Sequence, residues 1–169
     1  MKNEKGFSLI ELLIVVAIIG IIAAIAIPNL LKSRQAANEA SAIGSTRTLG
    51  TAQATYQSTR GKGKDFAATL AALLADNAID SALASGNKSG FVFRCAGVAA
   101  AVGVPSYFNT QSDPQSTGNF GSGNRGFSSN ETYVVYQIDE PAGASPGTAA
   151  TAGLAPPGSR LPAGMTPIE

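Results

Sequence analysis

Three residues near the start of the chain have types and spacing that allow chemistry: Gly6, Phe7 and Glu11. Gly6 follows the charged leader MKNEK, and Phe7 begins a long apolar run. Cleavage between Gly6 and Phe7 would remove the leader, keep the apolar run, and create an α-amino group on Phe7. Glu11 lies four residues further on the same helix face. That amine would pair poorly with Glu11 within one helix, but well between staggered helices of neighbouring copies in an apolar medium.

The element that must position these residues is the apolar run itself. From Leu12 to Ile27 it contains no charged and no polar side chain. A helix starting at Phe7 and rising about 1.5 Å per residue would span roughly 30 Å by Ile27, the hydrocarbon thickness of a bilayer. The run therefore predicts a membrane-crossing helix. An ionised carboxylate at the centre of such a helix costs about 2.5–3.5 kcal/mol, so Glu11 needs a partner even near the edge.

The segment GFSLIELLIVVAIIGIIAAIAIPNL resembles the class III signal of type IV prepilins and of the related pseudopilins of type II secretion. The resemblance implies that a membrane-embedded aspartic peptidase cuts after Gly6 and methylates the new N-terminal Phe7. It implies that Glu11 sets the register between subunits during assembly. It also implies that Pro28 kinks the helix. An ordinary secretory signal, by contrast, is cut after its apolar core.

Each of these residues also has a simpler interpretation. Gly6 could be a flexible junction, Phe7 an interfacial aromatic anchor, and Glu11 a carboxylate that stays protonated or reaches the headgroups. Pro28 could be a bend at the bilayer surface and nothing more. The four residues in this order and spacing favour the prepilin interpretation over the simpler ones.

Net charge limits the partners that the chain can bind. The sequence has 169 residues, 12 basic and 11 acidic side chains, and a net charge of +1. Removing the leader, residues 1–6, takes away two basic residues and one acidic one and leaves 10 of each. We therefore predict no specific nucleic-acid site. The positively charged leader is expected to stay in the cytoplasm, with the remainder on the other side of the membrane.

No constellation of residues predicts an enzyme, a cofactor site or a metal site. The chain has no His, and the segment GKGK lacks the spacing of a phosphate-binding loop. Asp76 and Asp80 are four residues apart and could hold a cation, but we interpret them as solvated carboxylates near a helix end. The remaining acidic candidates are too scattered for a calcium site: Asp113, Asp139 and Glu140.

Cys95 is the one cysteine of the chain, so no intramolecular disulfide is possible. Many type IV pilins close a C-terminal loop with a disulfide, and this chain departs from that pattern. We predict that Cys95 is a buried small hydrophobe rather than a catalytic thiol, because no His is present to activate it.

The helix is predicted to continue after Pro28 to residue 59, since good helix formers dominate and no Pro interrupts it. A stripe of largely apolar residues is expected to pack on the protein's own domain: Ala42, Leu49, Ala52 and Tyr56, with Ile43 beside it. Charged residues are placed mostly elsewhere: Lys32, Arg34, Glu39 and Arg47. A basic cluster of Arg60, Lys62 and Lys64 follows and suits the negative end of the helix dipole.

The remaining chain predicts a small head. Residues 66–78 are interpreted as a second helix whose Leu70, Leu73 and Leu74 pack down, and residues 80–88 as a loop. Residues 90–98 predict a strand with Phe91, Phe93 and Cys95 facing the long helix. Further strands are predicted at 104–111, 125–128 and 132–138, with a loop at 112–124 and a turn at 129–131. Residues 140–169 are rich in Pro, Gly and Ala and predict an extended or disordered tail, or a strap lying on the domain.

The predicted fold is α+β: a long N-terminal helix, apolar then amphipathic, packed on a small antiparallel sheet of about three or four strands, the pilin fold. Five segments follow: a leader that is removed (1–6), a membrane or filament-core helix (7–28), its amphipathic half (29–60), a globular head (61–139) and the tail (140–169).

The resemblance implies a structural subunit of a type IV pilus, an extracellular filament used for adhesion, twitching motility or DNA uptake. Its expected partners are further copies of itself, the prepilin peptidase and N-methyltransferase, and an inner-membrane assembly platform with its ATPase. The chain is expected to cross the inner membrane once before assembly. The alternatives are a type II secretion pseudopilin or a minor pilin, and a single-pass anchored sensor or binding module.

Overall fold

The computed structural model describes residues 6–101, 105–139 and 166–168. It has the predicted α+β fold, with one long helix against an antiparallel sheet. The helices are α1 (Leu9–Thr59), α2 (Leu70–Ala75) and α3 (Ser81–Ala84). The strands are β1 (Asn87–Lys88), β2 (Phe91–Val98), β3 (Tyr107–Pro114), β4 (Arg125–Asn130), β5 (Val135–Asp139) and β6 (Thr166–Pro167).

Six strands lie in the described residues, and they pair in chain order, each antiparallel to the next. Four of them, β2 to β5, are the longer strands that the sequence predicts, and the two-residue strands β1 and β6 add the edges. Of the predicted tail, the described residues are 166–168, where Ile168 donates its N–H to the Val135 carbonyl at 2.8 Å. The tail residues 140–165 and 169 and the leader residues 1–5 lie outside the described residues.

The core lies between the second half of α1 and one face of the sheet. Ala42, Leu49 and Ala52 of α1 are buried there, as the predicted stripe requires. Phe91 and Phe93 of β2 are also buried and face α1, so that prediction is confirmed. Phe127 of β4, which lies two strands from β2 in the sheet, extends this core and stacks on Phe91 with ring centroids 6.0 Å apart.

Polar residues extend the buried face of α1 beyond the apolar stripe in both directions. Gln35, Glu39, Thr46 and Gln53 are buried and recur at helical spacing with the apolar stripe. The placement of Glu39 away from this stripe was therefore wrong. Its burial is compensated because its carboxylate accepts hydrogen bonds from residues at the start of β4.

Strand β3 ends later than predicted. The sequence places residues 112–124 in a loop, but β3 continues through Pro114 and pairs with β2 along its whole length. Ser112 is fully buried, because its hydroxyl lies 3.0 Å from Thr46 Oγ1 and donates to the Phe127 carbonyl at 3.4 Å. A polar strand end is therefore stabilised by partners on α1 and β4. The predicted start of this strand at Val104 lies outside the described residues.

The β4–β5 turn is also displaced from its predicted position. Strand β4 continues to Asn130, and β5 begins at Val135 rather than at Thr132. Asn130 Oδ1 accepts hydrogen bonds from the Thr132 backbone N–H at 3.1 Å and from its hydroxyl at 2.6 Å. This Asx turn takes Thr132 and Tyr133 out of the ladder, and Tyr133 adopts a φ of +59°.

Helix α2 is shorter than the predicted segment 66–78. Phe66 and Ala67 are buried but not helical, because the Gln53 side-chain amide pairs with both backbone groups of Ala67, at 2.8 and 2.9 Å. Leu73 is buried as predicted, whereas Leu74 is 38% exposed, so its predicted packing was wrong.

The segment predicted as a loop at 80–88 contains α3 and β1. Asp80 caps α3, since its Oδ1 accepts the Leu83 N–H at 2.7 Å. Asp76 forms an ion pair with Arg60 Nε at 2.7 Å and is only 12% exposed, so its interpretation as a solvated carboxylate was wrong.

Candidate functional site

The candidate cleavage site, the peptide bond between Gly6 and Phe7, lies outside any helix. Residues 6–8 precede α1, and Phe7 is 86% exposed. Ser8 is the N-cap of α1 with an extended backbone, at φ −76° and ψ 143°. The peptide bond between Gly6 and Phe7 is therefore accessible, whereas a bond inside α1 would be protected by helical hydrogen bonds.

Glu11 lies in the first turn of α1, where a carboxylate interacts favourably with the helix dipole. Its Oε2 accepts the backbone N–H of Ser8 at 3.0 Å. Sequence reasoning missed this bond, although the spacing Ser8-x-x-Glu11 is that of a capping box and signals it. The carboxylate thus has a partner within its own chain while the leader is attached.

The first half of α1 has no covering surface within the described structure. Large apolar side chains from Phe7 to Leu30 are exposed all around it, each by 48% or more. They are Phe7, Leu9, Ile10, Leu12, Leu13, Ile14, Val15, Val16, Ile18, Ile19, Ile21, Ile22, Ile25, Ile27 and Leu30. The helix is long and apolar enough to cross a membrane, judged by length and composition. So large an exposed apolar surface requires lipid or protein around it.

Pro28 lies inside α1, which continues on both sides of it. Proline lacks the N–H that would bond to the carbonyl four residues earlier, which here belongs to Ala24. The helix therefore has a gap in its hydrogen-bond ladder close to the end of the exposed apolar stretch. The predicted kink at Pro28 stays a prediction.

Cys95 is a partly buried thiol that faces α1, in keeping with its predicted inward position. Gln53 Nε2 donates to its Sγ at 2.7 Å, and the Ala67 carbonyl lies 3.6 Å from it. Burial raises the pKa of the Cys95 thiol to about 11, with Gln53 opposing the rise. The thiol is thus neutral at physiological pH and behaves as a small packed group.

The other candidate residues are dispersed. Asp76 pairs with Arg60, Asp80 with Lys88, and Asp113 with Arg94. Within the described residues, no group of three or more His, Cys, Asp or Glu side chains is arranged to hold a metal ion. The arrangement that stands out is therefore the exposed apolar helix with its junction at Gly6 and Phe7.

This combination of an N-terminal junction, an apolar helix and an α+β head is similar to what the sequence resemblance to type IV pilins predicts. Residues 1–27 match the family model described as the prokaryotic N-terminal methylation motif. The predicted resemblance is confirmed by relatives as well. The chain is 42% identical over 89 residues to the type IV major pilin protein PilA of Myxococcus xanthus, covering 53% of this chain and 36% of that protein.

Two shorter similarities fall on smaller parts of the chain. It is 67% identical over 39 residues to the type IV wide pilus major component PilA4 of Thermus thermophilus, covering 23% of this chain and 30% of that protein. It is 79% identical over 29 residues to a fimbrial protein of Pseudomonas aeruginosa, covering 17% and 19%. The chain thus spans about a third or less of the length of the relatives it matches. No solved structure matches it.

Proposed function

We propose that this chain is a structural subunit of a type IV pilus that polymerises through the first half of α1. The observation that carries the proposal is the exposed apolar surface from Phe7 to Leu30, on a helix whose first residues match the methylation motif. Lipid covers this surface before assembly, and copies of the same helix cover it in the filament. One apolar environment replaces the other, so the transfer has a small cost in free energy.

Processing precedes assembly. A prepilin peptidase cuts between Gly6 and Phe7 and methylates the new amine of Phe7, and a cytoplasmic ATPase drives assembly on an inner-membrane platform. The exposed, non-helical junction supports cleavage at this bond. The chain then moves from a single-pass position in the inner membrane to the extracellular filament, and it performs no catalysis of its own.

Glu11 fixes the axial register of the filament. In the uncut chain its carboxylate holds the Ser8 N–H. After cutting, the amine of Phe7 on a neighbouring copy supplies a full positive charge, which is a stronger partner in an apolar medium than a neutral amide. The exchange of partners links cleavage to assembly.

The head is joined to α1 firmly enough to move with it as one body. Hydrogen bonds of the buried residues Gln35, Glu39, Thr46 and Gln53 reach four different segments of the head, at Gly118, Arg125, Ser112 and Ala67. The position of the helix in the filament therefore determines which head surfaces face outward. We infer adhesion, twitching motility or DNA uptake as the uses of such a filament.

Processing is tested with two glycine substitutions of matched size. An added Cβ meets no atom within 4 Å at either Gly6 or Gly20, so neither position is crowded within the chain. We expect Gly6→Val to retain the leader and Gly20→Val to lose it, as judged by the mass of the membrane-bound protein. Loss of the leader from Gly6→Val would contradict the proposed junction.

Immunolabelling of whole cells separates the pilin from its rivals. A pilin predicts label along surface filaments longer than the cell envelope is thick, and none on cells that lack the chain. Processed protein confined to the envelope would indicate a type II secretion pseudopilin instead. Unprocessed protein with no polymer would indicate an anchored sensor or binding module.

A further inference from the structure

An open groove lies at the base of the head, beside the end of the exposed apolar stretch. It has a volume of about 310 Å³ and lies between α1 and the β3–β4 loop, residues 115–124. Its lining includes Leu31 and Arg34 from α1 and Phe120 from the loop. The groove thus combines an apolar residue, a cation and an aromatic ring with a lining that otherwise consists of polar residues and glycine.

The β3–β4 loop is held at a defined level along α1. Gln35 Nε2 donates to the carbonyl of Gly118 at 2.6 Å and to that of Gly121 at 3.1 Å. These two residues flank Phe120, which is 84% exposed. The ring of Phe120 is therefore presented by an anchored loop.

This level coincides with the bilayer surface when the apolar helix lies in a membrane. Leu31 is three residues beyond Pro28, or about 5 Å along a helix. The headgroup region of a bilayer is about 5–7 Å thick on each side of the hydrocarbon. The lower end of the groove, at Leu31, therefore lies beside the headgroups, whereas Gln35, which holds the Phe120 loop, lies about 10 Å beyond Pro28. The side chains of Arg34 and Phe120 reach the headgroups by pointing back toward the membrane, and aromatic side chains are enriched at that depth.

The charge at this level is positive. Lys32 and Arg34 are both exposed, and neither forms an ion pair with any carboxylate in the part of the chain that the structure describes. Cations next to a membrane-spanning helix attract anionic lipid headgroups.

We propose that this groove binds the headgroup of an anionic phospholipid, with Arg34 on the phosphate, Lys32 adding positive charge from beside the groove, and Phe120 pointing toward the upper acyl chains. The inference rests on the membrane-anchored stage of the proposed function. It gives the subunit a second contact with the bilayer, which orients the head and is released when the chain enters the filament.

A tryptophan reporter tests the proposal, because the chain contains no tryptophan. The full-length Phe120→Trp chain is placed in phosphatidylcholine vesicles with and without phosphatidylglycerol, with bromine on the upper acyl carbons as quencher. We expect a blue-shifted, quenched emission that is stronger with phosphatidylglycerol. Tyr133→Trp is the matched control: Tyr133 lies beside Gly50, about 28 Å further along α1 than Leu31, and should stay unquenched.

The cations are tested in the Phe120→Trp background. Arg34→Gln and Lys32→Gln should each weaken the quenching in phosphatidylglycerol vesicles. Arg47→Gln is the control, because Arg47 is an exposed arginine on α1 further from the membrane and should leave the quenching unchanged. Equal quenching in neutral and anionic vesicles would overturn the proposal.

Ile18→Trp separates this inference from the proposed function. Ile18 lies at the middle of the apolar stretch, so its quenching by bromine on the lower acyl carbons reports that the helix spans the bilayer. Quenched Ile18→Trp with unquenched Phe120→Trp would overturn the headgroup site and leave the anchored helix intact. Unquenched Ile18→Trp would contradict the membrane stage itself. Shielding of Phe120→Trp that depends on protein concentration rather than on lipid would assign the groove to a second copy and overturn the proposal.

Discussion

Glu39 of α1 and Arg125 of β4 are joined by two charge-assisted hydrogen bonds, from Arg125 Nε and Nη2 to Glu39 Oε2 at 2.8 and 2.6 Å. The second carboxylate oxygen accepts the Asn124 N–H at 2.8 Å. Arg125 Nη1 also donates to Gln137 Oε1 at 3.0 Å. The nearly buried carboxylate thus connects α1 to Asn124 and to Arg125 of β4, and Arg125 extends the connection to Gln137 of β5.

We expect Glu39→Ala to lower the free energy of unfolding by about 3 kcal/mol, because it leaves Arg125 Nε and Nη2 and the Asn124 N–H without their acceptor. The double variant Glu39→Ala with Arg125→Ala should lose less than the sum of the two single variants. The measurement is urea unfolding of the full-length chain in detergent, followed by near-ultraviolet circular dichroism. Glu131→Ala, at an exposed position of the β4–β5 turn, is the control. A Glu39→Ala chain as stable as this control would contradict the stabilising role of the Glu39–Arg125 pair.

Cys95 should react slowly in the native protein. Burial raises the pKa of its thiol from 9.0 to about 11, which lowers the thiolate fraction at pH 8 about a hundredfold. Iodoacetamide labelling followed by mass spectrometry should therefore be about a hundredfold slower in native buffer than in urea. Equal rates in the two conditions would show that the thiol is solvated and not packed against α1.

The buried carboxyl of Asp113 should make the free energy of unfolding depend on pH. Burial raises the pKa of its carboxyl above 3.8, and the attraction of Arg94 and the Gln111 hydrogen bond only partly offset this. The folded state then holds the proton at a pH where the unfolded chain has released it. The free energy of unfolding contributed by Asp113 should therefore fall as pH rises from 3.8 through the folded pKa.

The measurement is the difference in the free energy of unfolding between wild type and Asp113→Asn. This difference isolates Asp113, because the other carboxyls titrate equally in both proteins. Urea unfolding at a series of pH values should show wild type losing stability relative to the variant above pH 3.8. A relative gain over the same range would mean that the Arg94 ion pair, at 3.0 Å, outweighs burial.

Periodicity made the helix and its apolar contacts predictable. Ala42, Leu49 and Ala52 repeat at helical spacing, and Phe91 and Phe93 alternate along a strand, so their burial follows from local pattern. The N-terminal junction was predictable for a different reason, since Gly6, Phe7 and Glu11 form a motif within a few residues. These parts needed no knowledge of distant contacts.

The polar core was not predictable in the same way. Ser112 is buried because Thr46 and Phe127 meet it, and Gln53 is buried because it pairs with the backbone of Ala67. Each partner lies far away in the sequence, and no local pattern signals such a contact. The turn predicted at 129–131 exists but is displaced toward Val135, because its position depends on a hydrogen bond from Thr132 to the Asn130 side chain.

Two substitutions of Glu11 separate the effect of its negative charge from the effect of its capping hydrogen bond. Glu11→Gln keeps an acceptor for the Ser8 N–H but removes the negative charge, whereas Glu11→Ala removes both. We expect both variants to insert in the membrane and both to lose surface filaments, measured as protein in membrane and sheared fractions. Normal filaments from Glu11→Gln alone would reduce the role of Glu11 to helix capping. Normal filaments from Glu11→Ala would contradict both roles.

The most direct test is the N-terminal residue and intact mass of the protein in filaments sheared from the cell surface. The central claim is that the exposed first half of α1 is released from the leader and then buried among copies of the same helix. It predicts a chain that begins at Phe7 with a methyl group on its amine, recovered in polymer. A chain that still begins at Met1, or one found only as a monomer in the membrane, would contradict the claim.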